Sequence, residues 1–178
     1  MRRIIQIALA LSALLCAFAA ISCGGGGGTP GDSRTETGSL SSSLPSYTDG
    51  NGAIHYVRAY TFTANQDGNA SIIASSTDFV PLPAVLEGTP DNASGAPPNL
   101  QLSVDSSAAD GTTIVTETFD VTNGSDYIVG VTGAGDGDTG NFQLTFSPEL
   151  SNVRSASLNR SEQSTLLKIK AASPGLRH

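Results

Sequence analysis

The sequence predicts an all-β protein, an antiparallel β-sandwich of about seven or eight strands with a jelly-roll-like arrangement. Two observations carry this prediction. Short runs in which apolar and polar residues alternate are separated by clusters of Gly, Asn and Asp, which is the pattern of strands joined by turns. The chain is also rich in Gly, free of Trp and low in charged residues, a composition that suits a turn-rich β module better than a helical bundle.

The predicted strands lie within a domain spanning residues 47–148. They are residues 56–63, 70–75, 83–86, 100–104, 112–119, 126–132 and 141–147. In the last of them, Phe142, Leu144 and Phe146 fall on one face, which we expect to be buried. Residues 88–99 contain several prolines, which cannot donate to a strand ladder, so this segment is predicted to be a loop. No amphipathic helix of ten residues is evident in the domain.

Residues 1–22 have the layout of a secretory signal peptide. Two arginines precede an almost unbroken apolar run over residues 4–21, and a glycine tract follows Cys23. The run is long enough to span a membrane, but the glycine tract favours a cleavage site over a stop-transfer anchor. Ser22 and Cys23 resemble the end of the bacterial lipobox, although Ala20 stands where Leu is usual. The alternative is ordinary cleavage after Ala19, which leaves Cys23 as a free thiol.

Lipidation of Cys23 is therefore predicted, and the lipobox resemblance implies two or three acyl chains on this residue. A single chain holds only marginally, whereas two or more make a stable anchor. We expect the protein in the bacterial cell envelope, attached to a membrane, with the outer membrane as the expected location. No cysteine remains to pair with Cys23 after cleavage, so the domain is expected to hold together by apolar burial without a disulfide.

The segments on either side of the domain are predicted to be disordered. Residues 23–46 hold the lipidated cysteine and a spacer rich in Gly, Ser and Thr that shows no apolar periodicity. The alternative is that part of this spacer packs as a strand. Residues 149–178 form a basic tail, and the alternative for residues 161–172 is a short amphipathic segment that touches anionic lipid.

The charge distribution excludes one class of partner. The formal net charge is −7, and Arg58 is the only basic residue between Pro45 and Pro148. Such an acidic domain would repel phosphates, so no nucleic-acid partner is expected. Divalent cations remain compatible with this charge.

The loop over residues 133–141 is the candidate metal site. Asp136, Asp138 and Asn141 offer the hard oxygen ligands that calcium prefers. The spacing is not that of an EF-hand, because the twelve-residue loop and its closing Glu are missing. The alternative is a hairpin turn whose Asp and Gly residues simply permit positive φ angles.

Catalysis finds little support in the sequence, and we expect no enzyme. Outside the last residue, His55 is the only histidine, and its place at a strand start favours a surface residue over a general base. The chain contains no Gly-x-Ser-x-Gly elbow, zinc-binding pattern, P-loop or dinucleotide fingerprint.

Three segments resemble the bacterial pre-peptidase C-terminal (PPC) domain: residues 56–63, 76–87 and 116–147. The first contains an aromatic strand, Tyr60-Thr61-Phe62. The last contains Tyr127 in a Gly-x-x-Tyr-x-Val-x-Val pattern, written here over residues 124–131, and the closing strand over residues 140–144. The resemblance implies a non-catalytic β-sandwich of the kind that accompanies secreted hydrolases. The proline-rich residues 88–99 depart from the family pattern.

Taken together, the sequence predicts a lipid-anchored, non-catalytic binding or accessory domain whose ligand is a glycan or a protein. One alternative is a structural envelope protein that acts through protein–protein contacts. Another is an accessory subunit of a secreted hydrolase, which would act in trans because no hydrolase is attached.

Overall fold

The computed structural model describes residues 32–105 and 112–172, with side chains up to Val104 and from Thr112 to Leu166; the predicted signal peptide and Cys23 lie outside these ranges. Within them the chain forms strands and one helix. In chain order these are β1 (Arg34–Leu40), β2 (Ser46–Thr48), β3 (Ile54–Tyr56), β4 (Arg58–Ala64), β5 (Gly68–Ser76), β6 (Pro81–Glu87), β7 (Gln101–Asp105), β8 (Thr113–Val121), β9 (Asp126–Gly133), β10 (Gly140–Phe146), β11 (Leu150–Ala156) and α1 (Arg160–Ala172).

The strands pack as an antiparallel sandwich, which confirms the predicted fold class. Sheet 1 has the order β1-β10-β5-β8-β7, and sheet 2 has the order β11-β4-β9-β6. Strands β2 and β3 form a separate two-stranded hairpin. Every strand predicted from the alternating pattern is present within a few residues of its expected bounds, and residues 88–99 form no strand of their own. The described residues hold eleven strands, so the prediction of seven or eight was too low.

Two of the additional strands lie in segments that were predicted to be disordered. Strand β1 falls inside the predicted spacer, where it pairs with β10 along its whole length and buries Leu40. Strand β11 falls inside the predicted tail and pairs with β4. The predictions of a disordered spacer and a disordered tail were therefore wrong for these residues, because pairing with distant strands supplies the hydrogen bonds that local periodicity does not reveal.

The main core lies between the two sheets and is rich in aromatic rings. Phe62 and Tyr127 project from sheet 2, and Phe119 and Phe146 project from sheet 1. The Phe62 ring lies 5.6 Å from both the Tyr127 ring and the Phe146 ring, measured between centroids. The expected burial of Phe142, Leu144 and Phe146 on one face is confirmed, since none of the three is more than 4% exposed.

Helix α1 covers the outer face of sheet 2 and forms a second, smaller core. Leu166 is buried over Gly130, whose missing side chain leaves room for it, and joins Leu86 and Ile128 there. The helix begins with a reciprocal cap, in which Asn159 Oδ1 accepts the N–H of Glu162 at 3.0 Å and Glu162 Oε2 accepts the N–H of Asn159 at 2.9 Å.

The same cap also ties the helix to the proline-rich loop. Glu162 Oε1 accepts the N–H of Asp91, a residue with a φ of +78°, and Asn159 Nδ2 donates to Asp91 Oδ1 at 3.0 Å. The tail is thus part of the folded body as far as this helix. In the described part of the chain, no helix is long and apolar enough to cross a membrane.

Candidate functional site

Most of the polar side chains that are candidates for a functional site lie at one end of the sandwich. Strand pairing puts the end of β1 next to the start of β10, and the start of β4 and of β6 next to the end of β9. The β2–β3 hairpin and the loop over residues 134–139 lie at this same end, which we call the hairpin end. The candidate calcium ligands, His55 and Arg58 are all found here.

The predicted calcium loop is held in place by its own carboxylates. Asp136 Oδ1 accepts the N–H of Ile54 at 2.6 Å, and the N–H of Gly137 donates to Ile54 O at 2.7 Å, which docks the loop on β3. Asp138 Oδ2 accepts the N–H of Gly135 at 2.7 Å and closes the turn from within. Gly137 has a φ of +65°, a conformation that favours glycine. These contacts give both carboxylates a turn-forming role.

Asn141 belongs to a neighbouring polar cluster. Its N–H donates to Asp78 Oδ2 at 2.7 Å, and its carbonyl accepts the Ser76 hydroxyl at 2.7 Å. Within the described ranges, no three His, Cys, Asp or Glu side chains are grouped so that they could hold a metal ion. The arrangement favours the turn alternative, and calcium binding at Asp136, Asp138 and Asn141 stays a prediction.

Calcium binding has a direct thermal test. If the loop binds calcium, the melting temperature with calcium should exceed that with chelator by several degrees, since a ligand that binds only the folded state stabilises it. Replacing both Asp136 and Asp138 by Ala should abolish the difference. Melting curves that coincide with and without calcium would contradict calcium binding, and Asp67→Ala in the β4–β5 turn is the matched control.

His55 is buried rather than exposed, so its prediction as a surface residue was wrong. Its side chain is 3% exposed, with Nδ1 3.1 Å from Gly133 O and Nε2 3.5 Å from Asp49 Oδ2. The ring stacks on Tyr47 at 4.9 Å between centroids. The hairpin folds His55 against β9, and both ring nitrogens face oxygen atoms. Through these contacts His55 links the hairpin to sheet 2.

The acid beside His55 is stabilised in its charged form. The N–H groups of Ala53 and Asn51 donate to Asp49 Oδ1 at 2.9 and 2.8 Å, and they lower the pKa of Asp49 below its usual range. His55 adds to this effect. Tyr47 on the other side of the ring is partly buried, and its burial raises the pKa of the phenol to about 12.

Arg58 lines an open cleft at the hairpin end. The cleft has a volume of about 490 Å³ and is lined by Thr37, Gly38, Ser39, Arg58, Asn141 and Phe142. Strands β1, β4 and β10 each supply part of this lining. Arg58 also lines a smaller cavity of about 170 Å³, together with Ser155 and Leu158. Arg58 therefore contributes to two concave surfaces.

The guanidinium of Arg58 has no acidic partner in the part of the chain that the structure describes. The described carboxylates within 4.0 Å of a basic side chain lie beside Arg34 and His55, so no carboxylate oxygen lies within 4.0 Å of Arg58. Its Nε is buried and makes no hydrogen bond. The Cζ atom lies 5.9 Å from the centre of the Tyr60 ring, within the range of a cation–π contact. A half-buried guanidinium without a carboxylate is poised to bind an anion.

Tyr60 places a second unsatisfied group beside Arg58. The side chain is 3% exposed, and its hydroxyl makes no hydrogen bond. Burial raises the pKa of this phenol, and the nearby Arg58 charge opposes that rise. The hydroxyl reaches close to the backbone at Gly38, where any side chain would collide with it and with Phe142. Buried polar atoms without partners are rare in folded proteins, and both of these atoms are shielded from solvent.

Only one signal for this cleft is visible in the sequence, namely a single arginine within an acidic domain. Asn141 was singled out as a candidate metal ligand, and the structure puts it at the cleft instead. Comparison of the chain with protein-family models, with curated proteins and with solved structures found no match.

Proposed function

We propose that this chain is a membrane-anchored, non-catalytic binding module of the bacterial cell envelope, and that the hairpin end carries its binding surface. The observation that carries this proposal is the Arg58 cleft, in which a half-buried guanidinium has no described carboxylate within 4.0 Å. An open cleft with a few convergent polar groups is the usual form of a small binding site. The antiparallel sandwich gives it a rigid base.

The anchor in this proposal is a lipid on Cys23. Its support is the sequence: the charged start, the apolar run over residues 4–21 and the small residue before the cysteine. Two or three acyl chains would hold the protein in the outer membrane, since each buried methylene contributes about 0.8 kcal/mol. The resemblance to PPC domains stays a prediction, and it agrees with an accessory role in trans.

The non-catalytic part of the proposal rests on the chemistry at the hairpin end. A general base needs a nitrogen or oxygen within reach of a substrate proton. The two ring nitrogens of His55 instead face Gly133 O and Asp49 Oδ2, beneath the hairpin. The cleft offers a guanidinium, hydroxyls and an amide, which are groups that bind and orient rather than transfer protons at neutral pH.

The proposal is tested with the full chain expressed in a bacterial host. Membrane fractionation and mass spectrometry should find wild-type protein in the membrane with an acylated mature start at Cys23, and Cys23→Ser should release it. Envelope extract should yield a retained glycan or protein that Arg58→Gln loses and that Arg154→Gln, a change on the exposed part of β11, keeps. An unacylated mature start would contradict the anchor, and equal retention by the two arginine variants would contradict the binding surface.

A further inference from the structure

We infer that β7, an edge strand of sheet 1, pairs with β7 of a second copy of this chain and joins two sandwiches through one continuous sheet. This inference goes beyond the proposed function and does not depend on it. Its structural basis is a sheet edge without protection, an exposed valine on that edge, and a strand sequence that complements itself. Within the described ranges, β7 pairs with β8 on one side and with no strand on the other.

The other three sheet edges carry features that oppose the addition of a strand. Strand β6 contains Pro81 and Pro83, which cannot donate to a ladder. Strand β11 shifts its register beside Asn152, and β1 places the charged Arg34 and Glu36 on its inner face. Prolines, bulges and inward-pointing charges are known to protect edge strands. Strand β7 has none of these features, because it contains no proline, keeps an unbroken register with β8 and has its single charge at its last residue.

The exposure of Val104 shows that the inner face of sheet 1 is incompletely covered along β7. Val104 lies opposite Val115 of β8 in the same sheet, so both side chains project toward sheet 2. Val115 is fully buried, whereas Val104 is 40% exposed. Strand β6, the edge of sheet 2 on this side, packs mainly against β5 and β8, so β7 extends past its cover. A strand added to β7 would place its own side chain beside Val104 and reduce this exposure.

The sequence of β7 is symmetric about its middle residue. Gln101 and Asp105 are polar, Leu102 and Val104 are apolar, and Ser103 stands at the centre. In an antiparallel pair with its two-fold axis at Ser103, each Leu102 lies opposite Val104 of the second copy. Apolar residues then meet on the inner face, and Gln101 meets Asp105 on the outer face. This self-complementarity selects a second copy of the chain over an unrelated strand.

The pairing is small and leaves the Arg58 clefts open. A strand of five residues buries less area than the roughly 1,200–2,000 Å² of a stable interface, so we expect the dimer to dissociate on dilution. Strands β1 and β7 are the two opposite edges of sheet 1. The two clefts, each lined in part by β1, would therefore lie at the outer edges of the joined sheet.

Disulfide cross-linking of the full chain, purified in detergent, tests the pairing and its register. The two native cysteines are first replaced, as Cys16→Ser and Cys23→Ser, so that an introduced cysteine is the only one. With oxidised glutathione, Ser103→Cys should form a linked dimer, because residues at the axis have Cβ atoms about 5 Å apart. Gln101→Cys is the matched control and should stay monomeric, since its two copies would lie about 13 Å apart along the strands.

Sedimentation equilibrium at rising protein concentration, in density-matched detergent, gives a second measurement. Val104→Lys should weaken the dimer roughly tenfold or more, because each dimer loses the apolar contact twice. Ile73→Lys changes another exposed apolar residue, on the outer face of sheet 1, and should dimerise like wild type. The pairing is overturned if the wild-type chain stays monomeric at every concentration, if the two lysine variants dimerise equally, or if Gln101→Cys cross-links as readily as Ser103→Cys.

Discussion

Raising the pH from 5 to 8 is expected to lower the free energy of unfolding by roughly 3.5 kcal/mol, because of one buried acid in the core. Glu117 on β8 is 2% exposed, and its Oε2 makes no hydrogen bond. Its strand neighbours are the apolar Ile72 and Leu102, and the contact from the opposite sheet is the backbone of Val85. Burial raises the pKa of this carboxyl from 4.5 to about 8, which the Val85 hydrogen bond only partly offsets.

The sign of the effect follows from which state holds the proton. In the unfolded chain Glu117 ionises near pH 4.5, whereas in the folded protein it keeps its proton up to about pH 8. Stability is therefore complete below the unfolded pKa and decreases by about 1.4 kcal/mol for each pH unit above it, until it levels off above the folded pKa. The lowered pKa of Asp49 acts in the opposite direction, but only at pH values below its ordinary value of 3.8.

Urea unfolding at several pH values between 5 and 8 measures this slope. Glu117→Gln keeps the shape of the side chain and its acceptor for Val85 but cannot ionise, so its stability should be nearly constant over the window. Glu87→Gln on strand β6 of the opposite sheet removes a partly exposed acid and should retain the wild-type slope. A wild-type slope no steeper than that of Glu117→Gln would show that the carboxyl is not buried as described.

Truncation of Phe62 is expected to destabilise the sandwich by about 3–5 kcal/mol, the usual cost of removing a buried aromatic ring. Phe62 is 1% exposed and contacts rings from both sheets, with centroids 5.6 Å from Tyr127 and Phe146 and 6.2 Å from Phe119. Phe62→Ala would remove these contacts and leave a cavity that strands held by backbone ladders cannot close.

The change in unfolding free energy of Phe62→Ala is measured by urea titration at pH 5, where Glu117 contributes little. Ile73→Ala is the matched control, because Ile73 is an apolar residue on the outer face of sheet 1 and is 37% exposed. We expect the control to lose less than about 1 kcal/mol. Similar losses for the two variants would argue against an aromatic cluster that joins the sheets.

The strands that could be predicted are those in which apolar and polar residues alternate along the sequence. Strand β10 alternates Phe142, Leu144 and Phe146 with polar residues, so its buried face was evident. Strand β1 offers only Leu40 as an apolar anchor, and its order comes from pairing with β10. Strand β11 breaks its period at Asn152, which has a φ of +55° beside a register shift. Helix α1 depends on the docking of Leu166, a contact far away in sequence.

The candidate site likewise has one part that could be predicted from the sequence and another part that could not. The loop with Asp136 and Asp138 was visible because its composition is local, although composition alone left open whether the carboxylates form a turn or bind an ion. The Arg58 cleft was not visible, since β1, β4 and β10 bring its lining together from distant parts of the chain. The burial of His55 was missed because the hairpin that covers it is held by tertiary contacts with Gly133 and Asp136.

The direction of β1 bears on how the protein would stand on a membrane. The strand enters the sandwich at Arg34, opposite Phe146, and runs to Leu40 at the hairpin end. Ten residues separate Cys23 from Arg34, and they span no more than about 40 Å even when fully extended. With the proposed lipid, the tether would join the sandwich at the end opposite the cleft. The seven residues of β1, about 23 Å of rise, would then separate the point where the tether joins the sandwich from the cleft at the hairpin end.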